Sequence, residues 1–119
     1  MKLVSKTVDD ILVVGLAEPD ALEASNVEDF RNAMANILGN VRRVLLDLGN
    51  VTFLDSSGMG ALIAIWRKVS INDGEIKLCR IGPSVRTLFE IIRIHRILEL
   101  YDTEEEAIAS YEKRSSDHP

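Results

Sequence analysis

Val44-Leu45-Leu46-Asp47-Leu48, Gly49-Asn50, Val51-Thr52-Phe53-Leu54 and Asp55-Ser56-Ser57-Gly58 form the stretch whose reading decides the fold. The first five residues are a nearly continuous apolar run, as in a strand covered on both faces of a mostly parallel sheet. Gly49-Asn50 breaks that run, and a second short apolar run leads to Asp55 and Ser56. Asp and Ser are residue types that favour a helix start, because their short oxygen-bearing side chains accept from free backbone N–H groups. Met59, Leu62, Ile63, Trp66 and Val69 then recur at helical spacing, and Asn72-Asp73-Gly74 ends the helix.

Working outward, Val4–Val8 and Ile11–Leu16 flank Asp9-Asp10 and read as a hairpin, and Pro19 ends any strand. Ser25-Asn26-Val27-Glu28 has the form of a capping box, with Val27, Phe30, Met34, Ile37 and Leu38 on one helical face and Gly39 as a left-handed stop. On the other side, Ile76–Ile81 alternates as a strand does. Pro83 sits in the first turn of a helix carrying Val85, Leu88, Phe89 and Ile92. Ile97–Tyr101 is a final strand, and Thr103 with Glu106 caps a last helix carrying Ala107, Ile108 and Tyr111. Strands alternating with helices need crossover connections. The expectation is one α/β domain over 1–113, with a mostly parallel mixed sheet, a hairpin start and about four helices, followed by a polar tail at 114–119.

Composition bounds the function. A chain of 119 residues with 46% hydrophobic and 28% charged residues is long enough for one ordinary core and too apolar to be disordered throughout. No run reaches the roughly 18 apolar residues of a membrane span, and the N-terminus lacks the apolar stretch of a signal peptide. A cytoplasmic, reducing setting is expected, since the lone Cys79 forbids an internal disulfide. The net charge of −5 argues against a general nucleic-acid binder, which needs clustered Lys and Arg.

Catalytic patterns are poorly supplied. A serine nucleophile needs a base within hydrogen-bond reach, and His95, the one histidine outside the terminal Asp117-His118-Pro119, lies far from the serines in sequence. The segment Asp55–Gly60 lacks the leading glycine of a Gly-x-Ser-x-Gly elbow, and Gly58 with Gly60 lacks the third glycine of a dinucleotide loop. Asp47 and Asp55 close two successive strand segments without a third metal ligand, and Cys79 among aliphatics reads as a buried, inert thiol. No metal or cofactor is expected. Two readings of Asp55–Gly60 remain: a helix cap, or a serine at a helix N-terminus poised to carry a phosphate beside Asp55.

The segment Leu46–Leu62, with Asp-Ser-Ser-Gly-x-Gly at Asp55–Gly60, resembles the signature of STAS domains, the domains of bacterial anti-sigma factor antagonists and sulfate transporters. The resemblance also takes in Gly74–Cys79, Pro83-Ser84-Val85 and Thr103–Ala107. It implies that Ser56 accepts a phosphate, with Ser57 a minor alternative, and that Asp55, Ser56, Ser57, Gly58, Met59 and Gly60 meet the partner. That partner would be an anti-sigma factor that is also a serine kinase with a histidine-kinase-like ATP fold. The unphosphorylated protein would bind it and free a sigma factor, and a PP2C-type phosphatase would reset the switch. The chain would be a substrate and not an enzyme. The alternative is a structural STAS subunit of a stressosome-like or transport-accessory complex. Where the family carries a Gly-x-Leu-Asp type loop, this chain reads Leu16-Ala17-Glu18-Pro19-Asp20-Ala21-Leu22, which leaves open whether Glu18 and Asp20 face the partner.

Overall fold

The computed structural model describes residues 1–116, with side chains described through 111. The chain runs β1 (Leu3–Val8), β2 (Ile11–Leu16), β3 (Asp20–Leu22), α1 (Val27–Leu38), β4 (Arg43–Asp47), β5 (Val51–Leu54) and α2 (Ser56–Ile71). It continues through β6 (Glu75–Cys79), α3 (Pro83–Ile92), a short 3-10 turn at Ile94–Arg96, β7 (Glu99–Tyr101) and α4 (Glu104–Ser116). The five-stranded sheet has the order β1-β2-β4-β6-β7, in which only β1 and β2 pair antiparallel. The expected α/β class, mixed sheet and four helices are all present.

The continuous apolar run of β4 has a simple cause. Val44 and Leu46 join a core with Phe30 and Met34 of α1, Leu62 and Ile65 of α2, and Val85 and Phe89 of α3. Leu45, pointing the other way, joins Ile11, Val13, Cys79 and the α4 residues Ala107 and Tyr111. Both faces are therefore dry, and each side chain of this size contributes about 1.5–3 kcal/mol on full burial. The hydroxyl of Tyr111 donates toward the carbonyls of Val44 (2.7 Å) and Glu75 (3.0 Å), fixing α4 across the sheet. Lys77, fully buried on this face, donates to Ser110 Oγ at 2.6 Å and lies 4.3 Å from the centre of the Tyr111 ring.

Several local expectations are corrected. The Ser25–Glu28 capping box does not form: α1 begins after Asn26, which makes no side-chain cap bond. Asn26 instead accepts from Glu23 N (3.0 Å) and donates to the Ala21 carbonyl (2.8 Å), tying down the turn before the helix. The Asp9-Asp10 hairpin is confirmed, with Asp9 at φ 56°. After α2 the left-handed residue is Asp73 at φ 60°, while Gly74 lies against the Arg42 carbonyl. The last strand is confined to Glu99–Tyr101, because residues 94–96 tighten into a 3-10 turn that buries Ile94. The last helix runs through Ser116, three residues into the stretch expected as tail; residues 117–119 lie outside the described residues.

One element was not anticipated, and it positions the site. After Pro19 the chain forms β3, which pairs in parallel with β5 as a separate two-stranded sheet. Asp20 N donates to the Asn50 carbonyl at 2.9 Å, Ala21 lies opposite Phe53, and Leu22 lies opposite Leu54. The Leu16–Leu22 loop is thus joined to the strand that carries Asp55.

Candidate functional site: the Asp55–Gly60 turn

Asp55 ends β5 and is the N-cap of α2, with extended backbone at φ −98° and ψ −173°. Its two carboxylate oxygens have different tasks. Oδ1 accepts from Gly58 N at 2.9 Å, satisfying one of the free donors of the helix start. Oδ2 accepts from Ala24 N at 2.9 Å, across 31 residues of sequence. Asp55 N donates in turn to the Leu22 carbonyl at 3.3 Å. The hydrogen bonds from Gly58 N and then Ala24 N hold the Asp55 carboxyl below its ordinary value, against a smaller opposing effect of burial, so it is ionised at neutral pH.

This clamp fixes Ser56 at the first position of α2 with its side chain exposed to solvent, and no hydrogen bond holds its hydroxyl among the described residues. Ser57 is half-buried, and Gly60 is exposed. Gly58 and Met59 are buried and face β3 and the core. Gly58 packs so tightly that a Cβ there would collide with the Leu22 carbonyl oxygen. The part of the turn that reaches solvent is Ser56, Gly60 and the edges of Asp55 and Ser57. Phe53, three residues before Ser56, is also exposed. This exposure is not legible in the pattern Val51–Leu54, because an apolar residue in a strand ordinarily faces a core.

The other candidates are dispersed. Glu18 and Asp20 are exposed; Asp20 pairs with Val51 at the end of β5 away from Asp55, its carboxylate engaged by Ala21 N at 2.8 Å. Asp47 does not join Asp55: it accepts from Gly49 N (2.7 Å) and Arg80 (3.1 Å). Among the described residues no group of three or more His, Cys, Asp or Glu is placed to hold a metal ion. His95 is exposed in the 3-10 turn beyond the far end of α3, whose near end touches β5 through a Ser84 Oγ bond to the Thr52 carbonyl (2.9 Å). Cys79 is fully buried, and burial is the main cause that pushes its thiol up to about 12. A cavity of about 280 Å³ lies between β1, β2 and the start of α4, lined by Lys6, Asp47, Arg80 and Glu104; none of residues 53–60 borders it. Among the described residues no helix is long and apolar enough to cross a membrane.

The model of the STAS domain family matches residues 2–107. The chain belongs to the STAS domain family. This STAS domain is 30% identical over 97 residues to the anti-sigma-B factor antagonist of Listeria monocytogenes, with 82% of each chain covered. It is 30% identical over 69 residues to the anti-sigma F factor antagonist of Paenibacillus polymyxa, covering 58% of this chain and 59% of that one. By these relatives it falls in the anti-sigma factor antagonist family. Among solved structures it shares its fold with the Bacillus anti-sigma factor antagonist SpoIIAA, described in unphosphorylated and phosphorylated forms. Both forms give a TM-score of 0.68 at 23% identity, covering 93% and 92% of this chain and 98% and 99% of the other.

Proposed function

We propose that this STAS domain is a phosphorylation-switched antagonist. In its unphosphorylated form it binds an anti-sigma factor that is also a serine kinase, in the cytoplasm, and so releases a sigma factor. Ser56 is the phosphoacceptor and Ser57 a minor alternative; a PP2C-type phosphatase restores the binding form. The protein contributes no catalysis of its own and acts as a substrate. The observation that carries this reading is the exposed Ser56 hydroxyl at the first position of α2, held there by the two hydrogen bonds that Asp55 accepts.

The physics of the switch follows from that placement. A phosphate on Ser56 adds about −1.5 to −2 charges and three acceptor oxygens. The helix N-terminus tolerates that charge, so the fold survives modification. The ionised Asp55 next to it makes the local field more negative, and a partner surface shaped for a neutral hydroxyl must then desolvate a dianion. Binding falls while the domain stays folded.

The test compares Ser56→Ala and Ser56→Asp for affinity to each histidine-kinase-like serine kinase of the host, purified. Ser56→Ala is expected to bind as the wild type does and Ser56→Asp to bind more weakly. Equal affinities of all three would leave Asp55–Gly60 as a helix cap and nothing more.

A further inference from the structure

We infer that Phe53 is the anchor by which the partner of the Ser56 switch holds this domain, its ring entering an apolar pocket on the anti-sigma factor kinase. This inference rests on the reading of Ser56 given above and adds the residue that supplies the affinity.

The topology places the ring in solvent. β5 leaves the main sheet and pairs only with the three residues of β3. Val51 and Leu54 turn inward and are each 4% exposed, while Phe53 is 52% exposed. The other aromatic side chains are placed differently: Phe30, Phe89 and Tyr111 are buried, and Trp66 and Tyr101 are half-buried. Scattered exposed aliphatics are ordinary on a protein surface and mark nothing by themselves. Ile71 is more exposed, at 74%, yet it stands at the far end of α2, about 22 Å from Ser56 at 1.5 Å per residue. What distinguishes Phe53 is an exposed aromatic three residues before a serine that is itself exposed.

The backbone that carries the ring is held in place. Ala21, opposite it on β3, is too small to cover it. The Ser84 hydroxyl donates to the carbonyl of Thr52, joining β5 to the start of α3, and the Asp55 clamp fixes the following residue. A fixed backbone on both sides of Phe53 lowers the ordering cost on association, and a Phe side chain has only two torsions to freeze. Buried aromatic anchors of this kind dominate binding energy at interfaces. The division of labour follows: Phe53 is unchanged by phosphorylation and sets the affinity, whereas Ser56 sets the switching.

The experiment measures the Kd of the wild type, Phe53→Ala, Phe53→Leu, Ile71→Ala and Ser56→Asp for the purified histidine-kinase-like serine kinase that modifies the chain. Phe53→Ala is expected to weaken binding at least about tenfold, Phe53→Leu by less, and Ile71→Ala by less than about twofold. If Phe53→Ala binds within about twofold of wild type while Ser56→Asp is weakened, the anchor is refuted and the switch stands. If Ser56→Asp binds as wild type, the Ser56 reading itself fails. An equal loss for Ile71→Ala overturns the anchor too, since the effect is then not local. Should Phe53→Ala lose its cooperative melt, Phe53→Thr, which matches the exposed neighbour Thr52, gives the same decision.

Discussion

Replacing Gly58 by alanine sets a methyl group against the backbone of β3. The added Cβ would collide with the Leu22 carbonyl oxygen and stand 3.0 Å from both the Leu22 carbonyl carbon and Leu54 Cδ2. The first two are main-chain atoms, and the third is a methyl of the buried Leu54. Leu22 is fully buried, and its carbonyl accepts from Asp55 N, so relief requires β3 and α2 to move apart. Overpacking costs about 1–3 kcal/mol, and a clash with main chain belongs at the upper end. Against it stands a gain of up to about 1 kcal/mol from alanine over glycine in a helix. The net loss is about 2 kcal/mol. For a chain of 119 residues that lowers Tm by about 8 °C, at about 4 °C per kcal/mol. Gly60, two residues on in the same helix, supplies the control: a Cβ there meets nothing within 4 Å. Gly60→Ala should therefore stabilise, by about 0.5–1 kcal/mol. Thermal and urea unfolding followed by circular dichroism reads both. Two alanine variants that shift stability in the same direction would refute the packing of β3 on α2 and, with it, the clamp that presents Ser56.

Three further outcomes follow from the titratable groups. Because the folded pKa of Asp55 is depressed, its share of stability is present above the ordinary Asp value near 4 and is lost as pH falls through the folded value. The stability gap between wild type and Asp55→Asn should accordingly close as urea titrations move from pH 6 to pH 3, and a constant gap would contradict the clamp. Glu104 is raised first by its hydrogen bond with Asp47, and then by burial, despite Lys6 at 3.0 Å. Asp47→Asn should bring its NMR titration midpoint down; an unchanged midpoint would show that Asp47 is not what raises Glu104. Cys79, with its thiol pushed up to about 12, should resist alkylation at pH 8 in the native state and react on unfolding. Prompt native labelling would mean that the α4 face opens.

What the sequence disclosed was whatever a local pattern controls. The hairpin at Asp9-Asp10, the apolar face of α1 and the Asp-capped start of α2 all rest on side chains within a few residues of one another. What stayed hidden depended on distant neighbours. β3 is three residues long, too short for any periodicity, and exists because β5 lies beside it. The Ser25–Glu28 box failed because Asn26 had better partners in Glu23 and Ala21. At the site, the cap of Asp55 was readable, but its second bond to Ala24 and the exposure of Phe53 follow from the same unread strand pairing. The close packing of Gly58 on β3 was hidden for that reason as well, whereas Met59 already stood on the apolar face of the helix.

We propose that this domain is switched through Ser56. The most direct test is phosphorylation-site mapping by mass spectrometry after incubation of wild type and Ser56→Ala with the host's serine kinases and ATP. A single phosphate is expected on Ser56 of the wild type and little or none on Ser56→Ala, with at most a trace on Ser57. Modification at another residue, to the same extent in both proteins, would contradict it.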